Sequence, residues 1–107
     1  MTVLSTVTPA QCWYIYLLRC RDNSLYTGIS LDPQRRCQEH NHHAARASRY
    51  VWSRRPATLV WQRNVASHSL ALKLEYHLKR LSKTAKEALL INEVHWQQLQ
   101  AQIETAP

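Results

Sequence analysis

Five side chains of this sequence have the chemistry needed to act on a phosphate ester. Tyr16 and Tyr26 lie in two successive apolar runs, Arg36 and His40 follow in a short basic segment, and Glu75 lies in a later Leu-rich segment. A phenol can hold or relay a proton, a guanidinium pairs with phosphate oxygens, and one carboxylate can hold a hard cation that keeps its waters. The pattern therefore allows phosphoryl chemistry if the fold brings these groups together.

Each of these residues also has an ordinary structural interpretation. Tyr16 and Tyr26 can be strand aromatics that bury a ring and keep a polar tip near water. Glu75 can form an exposed ion pair with Lys79, one helical turn later, which is worth only about 0.3–0.5 kcal/mol. The residue types alone leave both alternatives open.

A cysteine and three histidines lie close together and suggest zinc as another alternative. Cys37, His40, His42 and His43 follow one another at spacings that match no closed structural zinc site. We therefore expect these four side chains to face solvent or nucleic acid.

The two tyrosines must be positioned by a β-hairpin. Residues 12–20 and 25–29 are rich in strand formers, and the Arg21–Ser24 segment between them supplies turn chemistry, because Asp and Asn tolerate left-handed backbone. Alternation in the first strand predicts two faces, one with Trp13, Ile15 and Leu17 and the other with Tyr14, Tyr16 and Leu18. Gly28 is the only glycine of the chain. Its place at a strand end predicts close backbone approach or an unusual φ, and we include it among the substrate-binding candidates.

The rest of the chain predicts helices around one more strand. Ser30 or Asp32 can cap a helix that has Pro33 in its first turn, and the spacing of Arg36 and His40 places both on one face of it. A short second helix is predicted over 44–50 and a third strand over 58–65.

Two longer helices are predicted after the third strand. The first covers 70–81, begins at Ser67 or Ser69, and buries a stripe formed by Leu70, Leu74, Leu78 and Leu81. The second covers 85–103, with a capping box formed by Thr84 and Glu87 at its start. Its apolar residues are Leu89, Leu90, Val94, Trp96 and Leu99. Its polar end is a candidate contact for a protein partner.

Composition bounds the partners of this chain. The 107 residues fit one domain, predicted over 12–107 and preceded by a mobile lead-in over 1–11. Fourteen Lys and Arg against seven Asp and Glu give a net charge of +7, which favours polyanions, with nucleic acid first. Three cysteines without a CxxC motif and the lack of a signal-like N-terminus or a long apolar run favour a cytoplasmic protein that does not enter membranes.

The basic segment, defined as residues 46–55, is the best candidate for a binding surface. Its members are Arg46, Arg49, Tyr50, Trp52, Arg54 and Arg55, and Arg35 lies close before it. Guanidinium groups pair with phosphates, and exposed rings can stack bases. The alternative is that Tyr50 and Trp52 belong to the core and the arginines are merely solvated around them.

In this order and spacing, the motifs resemble a known family. Tyr14-Ile15-Tyr16, then Tyr26-Thr27-Gly28, then Arg36 with His40, then Glu75, are similar to the GIY-YIG nuclease domain. The amino-acid sequence from Cys12 to Leu90 resembles the small stand-alone bacterial members of this family, the YhbQ-like or UPF0213 group. The resemblance implies an α/β fold of the α+β type, with a three-stranded antiparallel sheet flanked by helices, and divalent-metal-dependent endonuclease activity with Mg²⁺ or Mn²⁺.

The resemblance also implies roles for individual residues. Tyr16 would take the proton of the attacking water and Tyr26 would hold or relay it. Arg36 would pair with the phosphate, His40 would be its companion one turn later, and Glu75 would hold the metal ion. Departures from the family pattern are Tyr14 in place of Gly, Thr27 in place of Ile, and a glycine-free segment over 41–48. Asn92 is a candidate for a further site residue.

Two classes of function follow from these observations. The first is a nuclease acting on DNA rather than RNA, selective for structure or ends, in DNA repair or processing. The second is a nucleic-acid-binding module that keeps the fold with little or no catalysis. The presence of all five site residues favours the first. For a domain of this size we expect a monomer or a weak homodimer.

Overall fold

Three antiparallel strands and five helices make up the computed structural model, which describes residues 12–105. The strands are β1 (Trp13–Arg19), β2 (Leu25–Ser30) and β3 (Thr58–Val65). The helices are α1 (Pro33–His42), α2 (Arg49–Trp52), α3 (His68–Lys79), α4 (Lys83–Ile91) and α5 (Glu93–Glu104). The sheet order is β2-β1-β3, so β2 is an edge strand. The predicted sheet and fold class are confirmed, and the predicted lead-in over 1–11 lies outside the described residues.

The central strand β1 separates two apolar clusters, because successive side chains point to opposite faces. Ile15 and Leu17 pack on one face with Leu74 and Leu78 of α3. Tyr16 and Leu18 pack on the other face in a smaller cluster that includes Cys37 of α1, Val51 of α2 and Ala57. The predicted alternation is confirmed. A register shift between Leu17 and Leu18 interrupts the pairing of β1 with β3.

Local chemistry explains where the hairpin and α1 begin and end. Asn23 has a φ of 72° in the turn, the left-handed conformation that Asn tolerates, as predicted. The Asp32 carboxylate caps α1 by accepting from the Arg35 N–H, and Pro33 occupies the first turn. Ser30 instead accepts a hydrogen bond from the Asp32 N–H at 2.9 Å, so it supports the capping residue.

The leucine stripe of α3 faces the core as predicted. Leu74 and Leu78 are fully buried, and Leu70 and Leu81 pack partly buried against the same cluster. Ser67 caps the helix, which begins at His68 and ends at Lys79. Within residues 12–105, no helix combines the length and the apolar composition that crossing a membrane requires.

The predicted second helix over 44–50 is wrong in its position. The helix α2 covers only Arg49–Trp52, because the Ser48 hydroxyl accepts from the Val51 N–H and caps it there. Residues 44–47 form a turn instead.

The predicted last helix over 85–103 is two helices. Asn92 ends α4 with an extended backbone, and its side chain accepts from the Val94 N–H to cap α5. The capping box of Thr84 and Glu87 is also wrong, because Ser82 caps α4. Glu87 pairs with Arg19 at the end of β1 instead. In α5, Trp96 is buried, whereas Val94 is exposed.

Candidate active site

The Tyr16 ring lies against the backbone of Gly28. The two residues are direct partners across β1 and β2, and only 1% of Tyr16 is exposed. A Cβ built on Gly28 would overlap the Tyr16 hydroxyl and the ring carbon that carries it. Gly28 does not have a positive φ. Of the two reasons predicted for this glycine, close approach is therefore the one that the structure supports.

His40 holds the Tyr16 hydroxyl from the other side. Its Nε2 lies 3.3 Å from Tyr16 Oη, and its Nδ1 accepts a hydrogen bond from the Ser48 N–H at 3.1 Å. A backbone N–H can only donate, so Nδ1 carries no proton and the neutral imidazole carries its proton on Nε2. His40 therefore donates to Tyr16 and cannot accept the proton of Tyr16 in this state.

The ionisation of both groups follows from their burial. His40 is fully buried, and burial, followed by the positive charge of Arg36, lowers its pKa to about 4, while Glu39 opposes the shift. Burial is also the main cause that raises the pKa of Tyr16, followed by its neighbour Tyr26; Arg36 acts in the opposite direction. At neutral pH the resting pair is therefore a phenol and a neutral imidazole.

Cys37 and His40 are buried, so the expectation that Cys37, His40, His42 and His43 all face solvent or nucleic acid is wrong. Cys37 lies in the apolar cluster with its thiol against the Ala57 carbonyl, and His40 is bound as described, whereas His42 and His43 are exposed. Only the last two face solvent, because α1 turns one face to the sheet and the other to water. Among residues 12–105, no three His, Cys, Asp or Glu side chains converge as a metal-binding group.

Arg36 is held in place by a carboxylate that the sequence analysis missed. Its Nη1 donates to Glu39 at 3.2 Å and to the Arg46 carbonyl at 2.8 Å. Glu39 also pairs with Arg35 at 3.5 Å and with Arg46 at 2.8 Å. These three arginines lower the pKa of Glu39, so it stays ionised and neutralises part of their charge. The spacings of three and four residues from Arg36 and Arg35 were the signal that could have identified it.

Tyr26 lies on the edge strand β2, beside the pair formed by Tyr16 and His40. Its ring meets the His40 ring edge-on, with centroids 5.3 Å apart, and is stacked with the Tyr50 ring at 6.0 Å. The Lys79 ammonium lies 5.8 Å from the centre of the Tyr26 ring. A side chain of α3 thus reaches around the edge of β2 to groups on the opposite sheet face.

Glu75 of α3 is close enough for its charge to raise the pKa of Tyr16. Its side chain is 22% exposed and lies 3.4 Å from the Lys79 ammonium, so the ion pair considered from the sequence is formed. One partly exposed carboxylate is a donor set that fits Mg²⁺ or Mn²⁺, which keep several waters and also bind phosphate oxygens. Glu75 is therefore a suitable single protein ligand for such an ion.

The comparison with protein families agrees with this arrangement. Residues 12–88 match the family described as the GIY-YIG catalytic domain. The chain belongs to the GIY-YIG family. The match covers the sheet, the helices α1, α2 and α3, and most of α4. It includes the five predicted catalytic residues, which are Tyr16, Tyr26, Arg36, His40 and Glu75.

Relatives of this GIY-YIG domain carry the UPF0213 name. One from Aeromonas hydrophila is 44% identical over 88 residues, which cover 82% of this chain and 63% of the relative, so the chain spans less than two thirds of that protein. One from Klebsiella pneumoniae is 39% identical over 93 residues, or 87% of this chain and 86% of the relative. A solution NMR structure of a UPF0213 protein from Bacillus halodurans is 35% identical, with a TM-score of 0.47, and the match covers 74% of this chain and 82% of that one. The names of these relatives state no activity.

Several arginines of the basic segment already make contacts within the domain, so fewer of them than expected are available to bind phosphates. Arg46 pairs with Glu39, Arg54 pairs with Asp22 at 3.0 Å, and the Arg55 guanidinium lies over the Trp52 ring, 3.3 Å from its centre. Val51 is the core residue here. Tyr50 is exposed and Trp52 half-buried, so neither belongs to the core, contrary to one of the two alternatives.

The structure also brings residues to the site that the sequence analysis did not select. Ser48 fixes the tautomer of His40 through its backbone N–H, and its hydroxyl caps α2. Asn41 holds α1 against the start of β3 with two hydrogen bonds of 2.8 Å to the backbone of Ala57. A serine before a helix is a recognisable signal for a cap, but the contact of Ser48 with His40 depends on the shape of the turn between them. Asn92 is engaged as a cap, far along the chain from the site.

Proposed function

We propose that this domain is a divalent-metal-dependent nuclease that hydrolyses phosphodiester bonds of DNA. The observation that supports this best is the buried Tyr16 hydroxyl, which accepts a hydrogen bond from His40. The charges of Arg36 and Glu75 both act on its pKa, Arg36 lowering it and Glu75 raising it. A phenol so placed can become a base only where cations are nearby, and substrate-bound metal together with Arg36 would provide them.

Each residue of the site has its own role in the proposed reaction. The ionised Tyr16 oxygen takes a proton from the attacking water as the new P–O bond forms, and the His40 Nε2–H stabilises that oxygen before the transfer. Arg36 pairs with a non-bridging oxygen of the phosphate through its planar fork. Tyr26 holds the water or relays its proton. The bond to the leaving oxygen then breaks, and that oxygen is protonated by solvent.

Glu75 would hold Mg²⁺ or Mn²⁺, which supplies charge stabilisation for the phosphate when bound. The ion would compete with Lys79 for the same carboxylate, because the two groups are paired at 3.4 Å. Binding of the ion would therefore release the Lys79 ammonium from Glu75. The small size of the domain favours selection of DNA by structure or by ends, in repair or processing, over readout of a long sequence.

The test is cleavage of labelled single-stranded, duplex and branched DNA, and of RNA, with Mg²⁺ or Mn²⁺. Wild type is compared with Glu75→Gln and with Glu93→Gln, a control that removes a carboxylate from α5. We expect wild type and Glu93→Gln to cleave DNA and Glu75→Gln to lose at least about 100-fold in rate, the scale of a lost electrostatic contact in the transition state. Equal cleavage by all three would contradict the proposal.

A binding module is the second candidate function, favoured by the Glu75–Lys79 ion pair, which satisfies the carboxylate without metal. It predicts salt-sensitive binding of nucleic acid by wild type and by Glu75→Gln, with no cleavage by either.

A further inference from the structure

A cleft beside Tyr26 is lined by two lysines that take no part in the chemical steps of the proposed reaction. It has a volume of about 310 Å³ and is formed by Leu25, Tyr26, Thr27, Tyr50, Lys79 and Lys86. We call it the lysine cleft. Tyr26 belongs both to this cleft and to the candidate active site, so the two are adjacent along the edge of β2.

The lysine cleft holds like charges without a carboxylate in its lining. Lys79 comes from α3 and Lys86 from α4, and burial together with the charge of Lys79 lowers the pKa of Lys86. The Lys86 ammonium makes only a long contact, 3.5 Å, with the Leu25 carbonyl. Burial of the Lys86 ammonium near the Lys79 charge raises the free energy of the fold, and an anion in the cleft would offset that cost. Lys79 itself is exposed and pairs with Glu75 at 3.4 Å.

One backbone group of β2 lies beside Lys86 in the lysine cleft, because the Leu25 carbonyl is turned toward the ammonium at 3.5 Å. A charged acceptor binds an ammonium more strongly than a distant carbonyl does. An anion in the cleft would therefore replace this long contact and meet the ammonium groups of Lys86 and Lys79.

We infer that the lysine cleft is a second phosphate site, which binds a phosphodiester of the same strand next to the one placed at Tyr16. The position relative to a reacting phosphate rests on the proposed function, but the anion site does not. Binding there would orient the strand along β2 and carry no sequence information, because phosphates are the same at every step.

The test is binding of a fluorescein-labelled single-stranded oligonucleotide, followed by anisotropy in EDTA over a salt series. Lys86→Gln removes the charge and can still donate to the Leu25 carbonyl, Lys86→Arg keeps the charge, and Lys73→Gln is the matched control. Lys73 is an exposed residue of α3 outside the cleft. Thermal unfolding of each variant is measured in the same buffer.

We expect Lys86→Gln to weaken binding about fivefold at 0.1 M salt and to lower the slope of log affinity against log salt by about 0.7, the value for one contact to a single strand. Lys86→Arg should bind as wild type does, and Lys73→Gln should lose clearly less than Lys86→Gln. Lys86→Gln should also raise the unfolding midpoint, because it removes a desolvated charge that Lys79 repels. A merely structural role for Lys86 would lower that midpoint.

Equal loss of affinity in Lys73→Gln and Lys86→Gln, or no loss in Lys86→Gln, would overturn the inference. Cleavage of DNA by wild type together with either of those results would leave the nuclease proposal in place and remove only the second phosphate site. Lys86-dependent binding without cleavage in Mg²⁺ or Mn²⁺ would support the anion site and refute the nuclease proposal.

Discussion

The Tyr16 hydroxyl occupies the space in which a side chain at Gly28 would begin. The contact joins the central strand to the edge strand at the point where the proposed reaction takes place. We therefore predict that Gly28→Ala displaces the Tyr16 ring and destabilises the domain by about 1–3 kcal/mol through overpacking. The cleavage rate should fall even under conditions in which the variant is fully folded. Urea denaturation and cleavage rates at a temperature where the variant is folded measure the two effects.

The control for this prediction is the same substitution in a Tyr16→Phe background. The overlap involves the hydroxyl and the carbon that bears it, so removing the hydroxyl should relieve part of the strain. The cost of Gly28→Ala should then be smaller by an amount that a double-mutant cycle detects. Equal costs in both backgrounds would show that the glycine is needed for another reason.

Much of this fold could be predicted from local signals. Alternation along β1, the cap at Asp32 and the leucine stripe of α3 each act within a few residues, so the sequence carries them directly. The break between α4 and α5 was not predicted, because helix-forming residues continue on both sides of Asn92 and only its cap geometry ends the first helix. The displaced capping box has a tertiary cause, since Glu87 is taken by Arg19 from a distant strand.

The site was predictable only in part. Resemblance to the family brought Tyr16, Arg36 and Glu75 together, but the protonation of His40 depends on Ser48, which a turn places against it. The lysine cleft was not predictable, because its lysines come from two helices and the sequence by itself indicates only a general excess of positive charge.

His40 is predicted to stay neutral with its proton on Nε2. With a folded pKa of about 4 and an ordinary value of 6.5, the unfolded chain binds more protons between these limits. Stability from this group is therefore complete above pH 6.5 and is lost as pH falls toward 4, by roughly 3 kcal/mol. Nitrogen-15 NMR of the imidazole and urea denaturation from pH 7 to pH 4.5 measure the tautomer and the loss.

Two variants separate His40 from the other histidines. His40→Asn keeps an acceptor for the Ser48 N–H but does not titrate, so its stability should depend less on pH in this window. His42→Gln, at an exposed position of the same helix, should keep the full dependence. An Nδ1–H tautomer, or titration of His40 near pH 6.5, would refute the assignment.

Tyr16 as the base predicts a rate that rises with pH. Burial raises the pKa of its phenol, so the ionised fraction should increase through the alkaline range and log rate should climb between pH 7 and 9. Replacing Tyr16 by a fluorinated tyrosine of lower phenol pKa should shift this limb to lower pH. The same replacement at Tyr76, an exposed residue of α3, should leave the profile unchanged. A flat profile in wild type would exclude Tyr16 as the base.

Arg19 and Glu87 are predicted to anchor α4, and with it the lysine cleft. Both carboxylate oxygens of Glu87 accept from the Arg19 guanidinium, and Lys83 adds a contact at 2.8 Å. These hydrogen bonds lower the pKa of Glu87 to about 2, so its contribution is complete above pH 4.5 and is lost as pH falls through about 2. Glu87→Gln should cost about 1–2 kcal/mol at pH 7 in urea denaturation, since the pair is partly exposed. Glu93→Gln, which breaks the more exposed pair with Arg63, should cost less, and the reverse order would contradict an anchoring role for Glu87.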